Sequence, residues 1–241
     1  MKVLFFAPVF NQARELPRVL AEFAASAPPG VELLLVNNGS SDGSEVLVRE
    51  SGHPFLDLPR NQGVGYGYIR AIDWALERGT EIFGAMAANG KMLPAEIPRL
   101  LAPILADQAD YVNGSRFLPG GGSPNLPEFR RRSIPLVNAF VRAVTGVALS
   151  DATCGFRAFR LDLLRRAEFD WRAPRLHTYG FEYYLYAKVL LDRRIRRVEV
   201  PVTMRYPEAG RYSKIRPGRD WYAMLAPWLR ARLDGKGFRE E

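Results

Sequence analysis

Five short apolar runs, at residues 3–7, 31–36, 55–58, 81–87 and 111–114, are spaced through the first half of the chain by stretches long enough for helices. The intervening stretches carry apolar residues at helical spacing. Leu16, Val19, Leu20 and Phe23 precede the stop at Pro28-Pro29-Gly30, and Ile69, Ile72 and Leu76 precede Gly79. Strands and helices alternating at these lengths predict an α/β fold, with a mainly parallel central sheet flanked by helices. In an open sheet of this kind a ligand binds beyond the carboxyl ends of the strands. The turns that follow the apolar runs are therefore where function is to be sought.

The second half reads differently. Residues 118–127 are rich in proline and glycine and predict a mobile loop. Helices are expected at 134–145, 179–191 and 220–233, strands at 153–159 and 197–204, and a basic loop at 206–217. The only cysteine, Cys154, excludes an internal disulfide and suits a reducing compartment. His53 and His177 are too far apart in sequence to suggest a histidine metal site. The apolar run after Lys2 is short, and Asn11-Gln12-Ala13-Arg14 follows it, so it reads as a first strand and not a secretory signal. No run approaches the ~18 apolar residues of a membrane span. The net charge of +8 points to anionic partners: phosphorylated small molecules, an anionic lipid surface or nucleic acid. No nucleic-acid module is recognisable and the charge is scattered, so nucleic acid is not expected.

Three polar turns follow successive strands: Pro8-Val9-Phe10-Asn11, Asn37-Asn38-Gly39-Ser40 and Asn61-Gln62-Gly63-Val64-Gly65. Each has glycine or small residues where a backbone must come close to something. Singly each is ordinary turn chemistry. Together, at neighbouring strand ends, they outline a crevice suited to a nucleotide. A phosphate-loop signature and a dinucleotide fingerprint are both missing, which argues against an ATPase and a dehydrogenase. A fourth turn, Ala87-Ala88-Asn89-Gly90-Lys91, is either a plain joint with a solvated lysine or an amide and an ammonium facing a ligand.

These motifs together resemble family 2 glycosyltransferases of GT-A fold, most closely the branch of dolichyl- and polyprenyl-phosphate sugar synthases. The resemblance also rests on Gly114-Ser115-Arg116-Phe117, Ser150-Asp151-Ala152-Thr153-Cys154-Gly155-Phe156-Arg157-Ala158, Glu199-Val200-Pro201-Val202 and Tyr212-Ser213-Lys214, and spans residues 2–215. It implies a nucleoside-diphosphate sugar as donor and a phosphorylated lipid or saccharide as acceptor. A donor-binding half at 1–116 and an acceptor-side half at 117–241 would form one continuous domain. By position Pro8, Asn11, Asn37, Asn38, Gly63 and Asn89 are donor-binding candidates. Asp151, as base or as orienting carboxylate, would serve the transfer beside Lys91 and Arg116; the alternative is that Asp151 only caps a turn. Arg130, Arg131, Arg205, Ser213 and Lys214 are candidates for acceptor or phosphate contacts, with Tyr212 nearby. Glu182 is an acceptor contact or a surface carboxylate.

The chain departs from the family where it matters most. The acidic metal motif falls on Ala87, Asn89 and Lys91, and the paired acids of the base-binding turn are Asn37 and Asn38. Alanine cannot ligate a hard cation and an ammonium repels one. No cofactor is expected, and magnesium or manganese is disfavoured. Either Lys91 replaces the cation, neutralising the leaving diphosphate, or the site has decayed and the protein is a catalytically silent nucleotide-sugar binder. A nucleotidyltransferase is a third reading. The last helix interleaves Trp221, Leu225, Trp228 and Leu229 with Arg230 and Arg232. It fits either peripheral contact with an anionic leaflet or plain packing on the sheet. The expected location is cytoplasmic, or on the inner membrane surface.

Overall fold

The computed structural model describes residues 1–207 and 221–239. Seven strands form one sheet in the order β3-β2-β1-β4-β6-β5-β7. The strands are β1 (Val3–Val9), β2 (Val31–Asn38), β3 (Phe55–Leu58), β4 (Ile82–Ala85), β5 (Tyr111–Ser115), β6 (Arg157–Arg160) and β7 (Arg197–Pro201). β1 to β4 are mutually parallel where they pair, and β5 is parallel to β7. β6 runs against both of its neighbours, β4 and β5. The carboxyl ends of six strands and the amino end of β6 therefore share one edge of the sheet.

Side chains alternate across this sheet with the period of two that strands impose. Leu4, Phe6, Leu34 and Val36 face one layer, with α3 (Val64–Glu77), α5 (Glu128–Thr145), α7 (Gly180–Leu191) and α8 (Trp221–Leu233). Phe5, Ala7, Leu33 and Leu35 face the other, with α1 (Leu16–Ser26), α2 (Ser44–Glu50) and α4 (Ile97–Leu105). α6 (Asp162–Arg165) is a single turn. The first layer contains a continuous run of ring contacts from Phe6 through Phe83, Phe159, Tyr111 and Tyr186 to Trp228. Such rings bury large apolar area and prefer offset or edge contacts. Trp228 is thereby packed on the core, with Ala226, Pro227 and Ala231 on the same buried side of α8.

Three expectations need correction. The strand expected at 153–159 starts only at Arg157, because Asp151 Oδ1 accepts both the Thr153 amide (3.2 Å) and the Thr153 hydroxyl (3.0 Å) and holds a turn there. The segment 118–127 is pinned rather than mobile: the Gly122 amide donates to Val202 O (3.1 Å), Met204 to Gly122 O (2.9 Å) and Tyr206 to Pro124 O (3.1 Å). The helix expected from residue 134 begins at Glu128, so Arg130, Arg131 and Arg132 are helical. Glu128 in its first turn complements the helix dipole, and Pro135 is accommodated inside it.

Gly84 on β4 makes one of these layers possible. A Cβ there would strike the ring of the fully buried Phe5. Gly84→Ala is expected to cost about 1–3 kcal/mol through overpacking, read as a lower urea midpoint with an unchanged slope.

Candidate active site

The turn after β2 is a scaffold of side-chain hydrogen bonds. Asn37, only 2% exposed, accepts the Ser40 amide (3.1 Å) and donates to Asp57 Oδ1 (2.7 Å) across the β2–β3 pair. Asn38 accepts the Gln62 amide (3.0 Å) and its amide nitrogen lies 3.4 Å from Asn61 Oδ1. Asn11, in the left-handed region at φ 50°, accepts the Ser41 amide (2.9 Å) and gives its own to Ser40 Oγ (3.1 Å). The donor-binding candidates Asn37 and Asn38 thus spend these side-chain groups on tying their own turn to β3 and to the turn at 61–65. Two carboxylates serve this region: Asp42 in the turn itself, which accepts the Ala13 and Ser44 amides (3.0 Å each), and Asp57 on β3. Burial pushes Asp57 up, but bonds from Arg49 and Asn37 outweigh it and hold the acid below its ordinary range. Asp57 was not singled out in the sequence; the β2–β3 register alone reveals it.

Gly63 also has a structural task. A Cβ on Gly63 or Gly65 would collide with the carbonyls of His177 and Leu176. The Gly65 amide donates to Thr178 O (2.7 Å) and that of Tyr66 to His177 O (2.8 Å). What comes close to these glycines is the chain itself. Two amides in the first turn of α3 are consumed by it and are not offered to an anion.

The turn after β4 carries Lys91 into the crevice. Asn89 Oδ1 accepts the Lys91 amide (3.2 Å), an Asx turn. Gly90, at φ 69°, lies under the Arg18 guanidinium, where a Cβ would clash. Lys91 O accepts the Arg205 amide (2.8 Å), and Met92 bridges to Met204. The Lys91 ammonium lies 5.3 Å from the centre of the Tyr206 ring. Burial, then the charges of Arg130 and Arg116, bring its pKa down to about 8.

Arg116 and Asp151 form an ion pair in which neither side chain exposes any surface. Arg116 Nε meets Oδ2 at 2.6 Å and Nη2 meets Oδ1 at 2.7 Å, a bidentate fork. Nη1 donates to the Tyr206 hydroxyl. Burial works against the Arg116 charge, but Asp151 outweighs it and the guanidinium is held more firmly protonated. Asp151 is fixed in turn by Glu199, which accepts its amide (3.1 Å) and that of Ser150 (2.7 Å). Cys154 nearby is no nucleophile: burial, then Asp151, pushes its thiol up to about 12.

The other candidates separate. Arg130 is half-buried, 5.9 Å from the Tyr206 ring centre. Arg131 and its neighbour Arg132 are exposed and both pair with Glu128, so Arg131 does not join the cluster. The Arg205 guanidinium pairs with Glu22 on α1 at 3.0 Å; only its backbone meets Lys91. Ser213, Lys214 and Tyr212 lie outside the described residues. Pro8 sits at the end of β1, beside Val36. Glu182 is not a surface carboxylate: Oε1 lies 3.5 Å from Arg157 and against Gly155, beside the methyl end of Met92. Burial raises its pKa, with Arg157 opposing. Tyr206, which the sequence offered only as the start of a loop, proves to be the hub that Lys91, Arg116 and Arg130 surround.

The residues at the family's metal motif do not fit a divalent ion. Ala87 offers no donor, Asn89 Oδ1 is engaged by a backbone amide, and an ammonium stands in the third place. The arrangement can hold an anion with two or more negative oxygens.

Comparison with known proteins identifies the family. A sequence model described as glycosyl transferase family 2 matches residues 5–167. The chain is 34% identical to an undecaprenyl-phosphate mannosyltransferase of Micrococcus luteus, covering 97% of this chain and 99% of that one. It is 32% identical to a polyprenol monophosphomannose synthase of Mycolicibacterium smegmatis, covering 97% and 89%. The crystal structure of glucosyl-3-phosphoglycerate synthase from Mycobacterium tuberculosis, with Mn2+, uridine diphosphate and phosphoglyceric acid, superposes with a TM-score of 0.68 at 17% identity. It covers all of this chain and 80% of that one, a likeness of fold. Among the described residues no helix is long and apolar enough to cross a membrane.

Asn37→Asp would set a second carboxylate against Asp57. Like charges disfavour ionisation, and the lost hydrogen bond costs about 1–3 kcal/mol. Urea denaturation should show that loss at pH 7.5 and a smaller one near pH 5, where the pair shares a proton.

Proposed function

The chain belongs to glycosyl transferase family 2, has the GT-A fold and is an enzyme, and on that premise we propose that it moves a sugar from a nucleoside-diphosphate donor to a polyprenyl phosphate without a metal ion. The sugar is mannose, on the names of the two relatives that match nearly end to end. The observation that carries the metal-free reading is the gathering of Lys91, Arg116 and Arg130 around Tyr206, at the turn where relatives would keep paired acids.

An acceptor phosphate is already ionised at neutral pH, so the transfer needs no strong base. One acceptor oxygen bonds to the anomeric carbon as the bond from that carbon to the donor diphosphate breaks. The electron pair leaves on the nucleoside diphosphate, and the configuration at carbon inverts. Charge grows on the leaving oxygen, and the Lys91 ammonium neutralises it with Arg130 and Arg116 beside it. Asp151 has both oxygens bonded and no exposed surface, which suits an orienting role: it aims Arg116 and, through it, Tyr206. Glu182, partly exposed beside Met92, is placed to meet a hydroxyl of the sugar or acceptor.

Transfer from GDP-mannose to a short polyprenyl phosphate should proceed unchanged in excess chelator. Lys91→Ala should lower kcat by about 10²–10³-fold, the usual loss for one well-placed charge donor. Lys91 is protonated below a pKa of about 8, so kcat/KM should be full near neutral pH and fall as pH rises through that value. Lys91→Arg should extend the plateau to higher pH, because guanidinium does not deprotonate there. Activity abolished by chelator and restored by magnesium or manganese would sink the metal-free reading.

A further inference from the structure

Two helices beside the crevice present a surface that the transfer chemistry does not use. α5 and α8 lie side by side and run the same way. At one end the Phe129 ring stacks on Trp221 (5.9 Å, 10° between planes); at the other Arg232 donates to Val144 O. Their inner faces bury Ile134, Val141, Val144, Trp228 and Ala231. Their outer faces leave large apolar side chains in water: Leu136 is 72% exposed, Tyr222 71% and Leu233 83%, with Phe129 and Leu229 near half. Single exposed apolar residues are ordinary, but a set on two adjoining helices marks an interaction surface.

Charge selects among occupants. Arg131, Arg132, Arg142, Arg230 and Arg232 are exposed on the same two helices, against Glu128 as their exposed acid. Aromatic and leucine side chains interleaved with arginines match the apolar boundary and anionic headgroups of a lipid surface. Position supports this. α5 also supplies Arg130 to the crevice, so one helix connects the outer face to the cation cluster. A polyprenyl phosphate keeps its tail in a bilayer, and its phosphate is reached only by a site held at the bilayer surface.

We propose that the outer face of α5 and α8 docks this protein on an anionic membrane surface, with the crevice opening toward the headgroups. The choice of membrane rests in part on the lipid-phosphate acceptor proposed above, and the experiment separates the two. The full chain is sedimented with phosphatidylcholine vesicles with and without phosphatidylglycerol, none containing a polyprenyl phosphate. Binding should require phosphatidylglycerol and weaken with salt. Leu136→Glu/Leu233→Glu should reduce it on the order of tenfold or more. Because both positions are exposed, melting temperature and transfer to a short, water-soluble polyprenyl phosphate should stay at the wild-type level. Transfer to a long-chain acceptor in vesicles should fall. Vesicle binding that is absent, or equal in the double variant, overturns the proposal. So does light scattering that shows a dimer dispersed by the double variant without vesicle binding, which would assign the face to a second copy. Vesicle binding lost in the variant while no acceptor takes sugar supports the docking surface and overturns the acceptor reading instead.

Discussion

The ion pair between Arg116 and Asp151 holds the crevice together. Taking a guanidinium and a carboxylate wholly out of water is expensive, and attraction between them offsets that cost only when the remaining polar atoms are also satisfied. Here they are: Asp151 accepts from Thr153 and the Arg116 amide, while Arg116 reaches Tyr206 and Thr153. The pair joins the end of β5 to the turn before β6, two points 35 residues apart. It also fixes Tyr206, which belongs to the segment after β7. One buried contact thus sets the relative position of three strand ends. Removing either partner would leave a charge without compensation, the situation that destabilises most.

The cluster around Tyr206 brings the side chains of Lys91, Arg116 and Arg130 beside one phenol ring. Burial, and then repulsion from Arg130 and from the Arg116 guanidinium that Asp151 already pairs, lower the Lys91 pKa. An anion carrying two or more charges relieves that repulsion. The aromatic ring contributes its face, which attracts cations and spaces them without adding a competing acid.

Much of the fold was legible because its signals are local. Short continuous apolar runs in β1 and β2 and helical spacing in α1 and α3 each lie within a dozen residues. β6 was misjudged because its limits depend on Asp151 bonding to Thr153, and its direction depends on partners far away in sequence. Arg116 and Asp151 were each singled out, yet nothing in either neighbourhood announces that they meet. The glycines at 63 and 65 correctly signalled a close approach, but could not tell a ligand from the carbonyls of residues 176–178. Asn37 and Asn38 are donor candidates by the resemblance, and their bonds within the turns leave that open, because an amide serves a turn and a ligand equally well. Arg130 and Arg131 differ only in which side of a helical turn they occupy, and that needed the start of α5.

The antiparallel strand in the middle of the sheet bears on how the chain is made. β5 pairs only with β6 and β7, never with the β1–β4 block that precedes it. While the polypeptide leaves the ribosome, β5 must wait some forty residues, from Ser115 to Arg157, before its first neighbour emerges. During that interval β4 exposes an edge with no cover, a state prone to wrong pairings. The long helix α5 falls within this gap, whereas the segment 118–127 must wait for its partners at 202–206. That helix occupies the delay with locally encoded structure, and β6 then completes the sheet between β4 and β5.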